Sequence, residues 1–153
     1  MTKPIQIKNL TIGSGIPKIC VPLTGTTKEK ICQEAEAAKK AEADLVEWRA
    51  DFFEGLLQKE DCNQVLDALN EILGETPILF TIRTSEEGGN AAISLEDYIA
   101  CNINAARSKK TDLVDVEVTG NPDEKIKLVA ELQKEGVRVI ASSHDFDKTD
   151  CQE

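Results

Sequence analysis

Five short apolar runs, separated by segments with helical periodicity, constrain the fold of this chain more than any other feature. They lie at residues 18–23 (KICVPL), 44–49 (DLVEWR), 77–83 (PILFTIR), 112–118 (DLVDVEV) and 137–142 (VRVIAS). Each is rich in β-branched or large apolar side chains and has the length of a buried strand. The stretches between them read as helices. Thr27 caps the first, which carries Ile31, Ala35, Ala38 and Ala41 on one face. The second presents Val65, Leu66, Leu69, Ile72 and Leu73 and stops at Gly74. The third opens at Ser94, has Glu96 and Asp97 in its first turn, and is expected to bury Ile99 and Ile103. The fourth has Asn121 as cap, Pro122 at the first helical position and Gly136 at its end, with Ile126, Val129 and Leu132 as its apolar face.

The order β-α-β-α-β-α-β-α-β calls for a parallel sheet with right-handed crossovers. Residues 5–12 (IQIKNLTI) alternate weakly and read as a small hairpin outside that sheet. Two architectures accommodate five such strands. One is an open doubly wound sheet, and the other is part of a (β/α)8 barrel, whose full form takes about 250 residues. At 153 residues, pattern alone favours the open sheet. What bears on the choice is where polar residues fall on the strands.

Strands buried on both faces are expected to be almost wholly apolar. Here Glu47 and Arg49 share one face of the second strand, Arg83 ends the third, Asp115 and Glu117 share a face of the fourth, and His144 and Asp145 follow the fifth. Each has a plain structural reading. Glu47 and Arg49 can form an ion pair, Asp115 and Glu117 can accept from arginines, and His144 can serve a turn. Their convergence toward the C-terminal ends of successive strands favours a site, since barrels and doubly wound sheets both place their chemistry there. With a single histidine and no carboxylate spacing of a Mg²⁺ or Ca²⁺ loop, an organic anion held by Arg49 and Arg83 is favoured over a metal.

Other classes are disfavoured. The net charge is −10, from 28 acidic and 18 basic residues, which argues against a nucleic-acid partner. No apolar run approaches the ~20 residues that span a bilayer, and no signal-peptide core precedes the first strand, so no membrane partner and a cytoplasmic location are expected. Cys20, Cys32, Cys62, Cys101 and Cys151 are scattered, without zinc spacing, and read as reduced thiols. Gly13-Ser14-Gly15 lacks a third glycine and a following helix, so it is not a dinucleotide loop.

Four motifs occur in order: Glu47-Trp48-Arg49-Ala50-Asp51, Phe80-Thr81-Ile82-Arg83, Glu87-Gly88-Gly89 and Ser142-Ser143-His144-Asp145-Phe146. Together with the opening hairpin and the strand at 17–22, they resemble type I 3-dehydroquinate dehydratase of the shikimate pathway, the route to the aromatic amino acids. The resemblance runs to Lys148-Thr149. It implies a (β/α)8 barrel, usually a homodimer, that dehydrates 3-dehydroquinate to 3-dehydroshikimate with no metal or cofactor. A lysine forms a Schiff base with the substrate ketone, and a histidine moves protons. By resemblance His144 is that histidine and Glu87 is the acid that orients it. Glu47, Trp48, Arg49 and Arg83 fall in the substrate-binding set.

The family places its lysine on the sixth strand, and this chain ends nine residues after His144. The family's seventh-strand arginine and last-loop serine and glutamine also lie beyond that point. Lys148 matches a loop lysine and reads as solvated. Residues 150–153 (DCQE) leave the family pattern. The expectation is a single truncated barrel domain over 1–153, with about five β/α units, inactive or nearly so by itself and destabilised by two open sheet edges. Three readings follow: the N-terminal part of a dehydratase, one half of a split barrel completed by another chain, and a non-catalytic fragment.

Overall fold

A computed structural model describes residues 3–148. Strands β1 (Ile5–Ile7) and β2 (Leu10–Ile12) form an antiparallel hairpin. Then come β3 (Cys20–Leu23), α1 (Lys28–Lys40), β4 (Leu45–Arg49), α2 (Lys59–Leu73), β5 (Ile78–Thr81), α3 (Leu95–Arg107), β6 (Leu113–Glu117), α4 (Pro122–Lys134) and β7 (Arg138–Ser142). Short 3-10 turns at Ala50–Phe52 and Ser85–Glu87 follow β4 and β5.

All five sheet strands run parallel, in the order β3-β4-β5-β6-β7. That order decides between the two architectures. A doubly wound sheet reverses its strand order at a switch point and covers both faces with helices, whereas a barrel advances strand by strand with helices on one side. Here the order never reverses, and α1 packs on α2, α2 on α3 and α3 on α4. The chain is part of a (β/α)8 barrel. Among the described residues, β3 pairs only with β4 and β7 only with β6, so the sheet has two open edges.

Period-2 alternation divides the strand side chains between two environments. Leu23, Val46, Trp48, Ile78, Phe80, Val114 and Val116 face the helices in one continuous core. On the other face, Leu45, Leu79 and Leu113 form an apolar floor that packs with Ile7, Leu10 and Ile12 of the hairpin. The hairpin closes the N-terminal end of the sheet and is pinned by the Lys8–Asp112 ion pair at 3.1 Å. Above that floor, the same face carries the charged residues.

The helix boundaries match the sequence reading closely. Thr27 and Ser94 cap α1 and α3 through their side chains, and α2 ends at Gly74 with φ of 58°. Three expectations about helix faces change. Ala41 lies past the end of α1 and is exposed. The face α3 buries is Tyr98, Asn102, Ala105 and Ala106, with Ile99 and Ile103 only partly covered beside it. In α4, Ile126 is 67 % exposed, and the buried stripe is Lys125, Leu128 and Leu132. The 125/128/132 spacing follows the 3.6-residue period over two turns, whereas 126/129/132 drifts off it. Asn121 precedes α4 in a left-handed conformation and makes no side-chain cap.

Candidate active site

The Glu-x-Arg of β4 puts Glu47 and Arg49 on the inner face, half-buried. Arg49 is held rather than loose. Its Nε and Nη2 donate to Asp51 Oδ1 and Oδ2 at 2.8 and 2.9 Å, and its guanidinium lies 5.1 Å from the centre of the Phe52 ring. The 3-10 turn after β4 carries Asp51, which meets the Arg49 guanidinium two residues earlier. Asp51 is buried and also accepts the Asn90 backbone N–H at 3.1 Å. Burial pushes the Asp51 carboxyl up, but hydrogen bonds from Arg49 and Asn90 and the Arg49 charge outweigh this and hold it below the usual carboxylate range. The hydrogen bond from Arg49 to Asp51 in turn raises Arg49. Arg49 Nη1 and the Glu47 carboxylate make no hydrogen bond among the described residues, so both remain available to a ligand.

Arg83, just past β5, is buried at the centre of an acidic cluster. Its Nη1 donates to Glu117 Oε1 at 3.1 Å and to Ser142 Oγ at 3.0 Å, and its Nη2 donates to Asp115 Oδ1 at 3.0 Å. Ser142 Oγ donates to Asp115 Oδ1 at 2.7 Å. Glu117 also accepts from the backbone N–H and the hydroxyl of Thr84, each at 2.8 Å. Asp115 and Glu117 are thus structural acceptors for an arginine, and through it they tie β5, β6 and β7 together.

The 3-10 turn at Ser85–Glu87 carries Glu87 inward, where it is 6 % exposed. Its Oε2 accepts the His144 backbone N–H at 3.0 Å and lies 2.9 Å from His144 Nδ1. Thr119 donates its hydroxyl to Oε1. A carboxylate can only accept, so this contact favours the imidazole tautomer with hydrogen on Nδ1 and leaves Nε2 open to exchange a proton. The His144 side chain is 39 % exposed and can be reached by a ligand. Two glycines make the turn fit. Gly88 has φ of 80°, with the Phe146 ring where a Cβ would go, and a Cβ at Gly89 would overlap the Arg83 carbonyl.

Of the residues the sequence singled out, the fold brings Glu47, Arg49, Arg83, Glu87 and His144 to the C-terminal end of the sheet. Trp48 is a correction. It alternates with Glu47 and Arg49, is 0 % exposed, and packs edge-on against Phe53 and Phe80 in the helix-facing core. Period 2 alone forbids it the substrate face.

Sequence reasoning missed Asp51, Ser142, Thr119 and Lys125. Asp51 lay within the quoted motif, two residues beyond Arg49, and that spacing was the available signal. Lys125 offered none. It is buried with its Nζ 4.0 Å above the centre of the Tyr98 ring, and burial lowers its pKa. Behind Glu87, a cleft of about 300 Å³ is bordered by Lys125, Tyr98, Glu86, Glu117 and Thr119. Among the described residues, no group of three or more histidine, cysteine, aspartate or glutamate side chains is arranged to hold a metal ion. No helix there is long and apolar enough to cross a membrane. The motif expectations for residues 149–153, including Cys151, lie outside the described residues.

Relatives share both sequence and fold. The protein-family model for type I 3-dehydroquinase matches residues 19–153. A 3-dehydroquinate dehydratase of Listeria monocytogenes serotype 4a is 44 % identical over 149 residues, covering 97 % of this chain and 59 % of its own length. One from Clostridium botulinum is 42 % identical over 153 residues, covering all of this chain and 60 % of its own. The crystal structure of a type I 3-dehydroquinate dehydratase from Clostridium difficile superposes with a TM-score of 0.92 at 42 % identity, over 98 % of this chain and 60 % of that one. A Geobacillus kaustophilus 3-dehydroquinate dehydratase gives 0.90 at 35 % identity, over 97 % and 58 %. The chain spans about 60 % of the length of the curated relatives it matches. From its ordered strand-end residues, its sequential parallel strands and these likenesses, the chain belongs to the type I 3-dehydroquinase family.

Proposed function

We propose that this chain carries the substrate-binding and proton-transfer part of a 3-dehydroquinate dehydratase. It would act once the remaining strands, and a lysine on the sixth, complete the barrel. The observation that carries this reading is the Glu87–His144 contact at 2.9 Å, at the same end of the sheet as Arg49 and Glu47. The lysine amine adds to the substrate ketone and water leaves, giving an imine. The imine makes the neighbouring C–H bond far more acidic. His144 Nε2 takes that proton and returns it to the departing hydroxyl, which leaves as water, and a water then hydrolyses the product imine to release the ketone and restore the lysine amine. Glu87 holds the imidazole in the tautomer this needs. Arg49, pre-oriented by Asp51, and Glu47 meet the substrate hydroxyls. Arg83 belongs to the substrate-binding set by resemblance and also fixes the strand ends through Asp115 and Glu117. No cofactor enters the reaction.

The edges of β3 and β7, open among the described residues, are where the remaining strands would pair, whether they come from the same chain or from another. Residues 1–153 alone, without the sixth-strand lysine, are proposed to bind substrate without turning it over.

A graft tests the proposal. Residues 1–148 are joined to the C-terminal part of the Listeria relative, and conversion of 3-dehydroquinate is followed directly. The expected result is a folded, active barrel that loses activity with H144A. A folded graft without activity overturns the reading. Borohydride with 3-dehydroquinate on the isolated chain is expected to trap nothing, and a covalent adduct there would overturn the need for a lysine from elsewhere.

A further inference from the structure

Away from the charged strand ends, on the helix side of the sheet, two thiols converge on one atom. Cys62, in the first turn of α2, directs Sγ at the Leu56 carbonyl oxygen at 3.2 Å. Cys101, in the middle of α3, directs its Sγ at the same oxygen at 3.5 Å. The two sulfurs are therefore no farther apart than those two lengths together. Both line a cavity of about 140 Å³ whose walls are mainly apolar, with Leu56, Leu57 and Phe80, and which Lys59, Asp97 and Asn104 also border. Leu57 is 59 % exposed, so the cavity meets solvent on that side.

We propose that Cys62 and Cys101 form a dithiol site for a thiophilic centre that bonds two sulfurs and carries a flat apolar substituent, the class represented by monosubstituted trivalent arsenicals. The pairing of sulfurs sets the chemistry, and the apolar walls set the substituent. An apolar cavity of about 150 Å³ is known to hold a benzene ring, and this one is of that size. Rotation about χ1 on two adjacent helices would turn both sulfurs onto one centre, at the loss of three weak S–H···O contacts, two from Cys62 and one from Cys101.

The state of the thiols suits this ligand better than an oxidant. Burial pushes the Cys62 thiol up to about 12 and raises Cys101 as well, so both are protonated at neutral pH. Disulfide formation and exchange run through the thiolate and are slow here. An arsenic oxide brings its own base. Two S–H bonds break, two As–S bonds form, and the oxide oxygen leaves as water with the two thiol hydrogens. Arsenic stays trivalent, and nothing is oxidised or reduced. Closure of the ring would tie α2 to α3.

The probe is phenylarsine oxide, added at one equivalent to the native full chain, followed by excess 2-mercaptoethanol. The expected result is one adduct that resists the monothiol, is removed by dithiothreitol, and joins the peptides containing Cys62 and Cys101 on digestion. C62A and C101A are each expected to weaken that adduct at least about tenfold, because the second sulfur acts at high effective concentration, while C32A leaves it intact. A bridge between any other pair, a resistant adduct in C101A, or no resistant adduct on the native chain overturns the proposal. Peptide mapping of the unsubstituted chain decides the matter even if C62A fails to fold. Chain unfolded in urea is expected to scramble the pairing, and the same pair at equal affinity there would overturn a role for the fold.

Discussion

One oxygen of Glu87 holds His144 at two points, its backbone N–H at 3.0 Å and its imidazole Nδ1 at 2.9 Å. The carboxylate comes from the turn after β5 and the histidine from the segment after β7, so neither position is defined without the other. Glu87→Ala is expected to free the segment after β7, read as faster amide exchange at residues 143–148. In the grafted barrel, Glu87→Gln is expected to lower kcat about 10²-fold with little change in KM, the scale of a lost acid–base arrangement. Equal losses in binding and turnover would instead mark Glu87 as a substrate contact.

Asp51 gives the molecule a predictable acid response. Its carboxyl is held below its unfolded value of 3.8, so the stability it contributes is fully present above about pH 4 and is lost as pH falls through the lower folded value. Asp51→Asn is expected to cost about 1–3 kcal/mol at neutral pH, as a charge-assisted bond to a partly buried arginine is removed. The gap in melting temperature between the two proteins is expected to close as pH falls below about 4. A gap that stays constant there would show the pair to be energetically idle.

Arg83 pairs most closely with two of the three almost wholly buried carboxylates around it, Asp115 at 5 % and Glu117 at 3 % exposure, with Glu87 at 3.6 Å. Arg83→Met is expected to destabilise by about 3–5 kcal/mol in urea unfolding, since both charges lose their partner. Adding Glu117→Gln to that variant is expected to restore part of the loss, because one uncompensated charge is then gone. No recovery would mean that the arginine acts through packing alone.

Trp48 belongs to the core, and its substitution separates stability from binding. Trp48→Phe is expected to destabilise by about 1–3 kcal/mol, through lost packing against Phe53 and Phe80. Substrate KM in the grafted barrel is expected to stay within about twofold of the parent. A selective rise in KM would return Trp48 to the substrate face.

Among the described residues, β3 and β7 each have an unpaired edge, which presents a row of backbone donors and acceptors. The isolated chain is expected to associate with rising concentration, seen in sedimentation, and the grafted barrel is expected not to. A cooperative, concentration-independent melt of the isolated chain would count against this.

The elements themselves could be read from the chain. Runs of Val, Ile and Leu bounded by glycine, proline and capping residues are local features, and local geometry is set by the nearest few residues. Polar residues at strand ends were equally visible, because Glu47, Arg49, Asp115 and Glu117 break an otherwise apolar pattern. Two kinds of information were not local. Which face of α3 and α4 turns inward depends on what stands opposite, and Lys125 displaced Ile126 because the Tyr98 ring and its neighbouring carboxylates accept an ammonium. Whether a motif residue lines the site depends on strand parity, which sends Trp48 to the opposite side from both its neighbours.

The order of residues was enough to define alternating strands and helices, the family, and the charged groups at the strand ends, since each depends on spacing along the chain. Folding in three dimensions was needed to choose a barrel segment over an open sheet, because that choice rests on which strands pair. It was also needed to join Glu87 to His144 across 57 positions, Arg83 to Asp115 and Glu117 across 32 and 34, and Cys62 to Cys101 through one carbonyl oxygen. Contacts between residues so far apart in sequence form only when the sheet brings their strands and loops together.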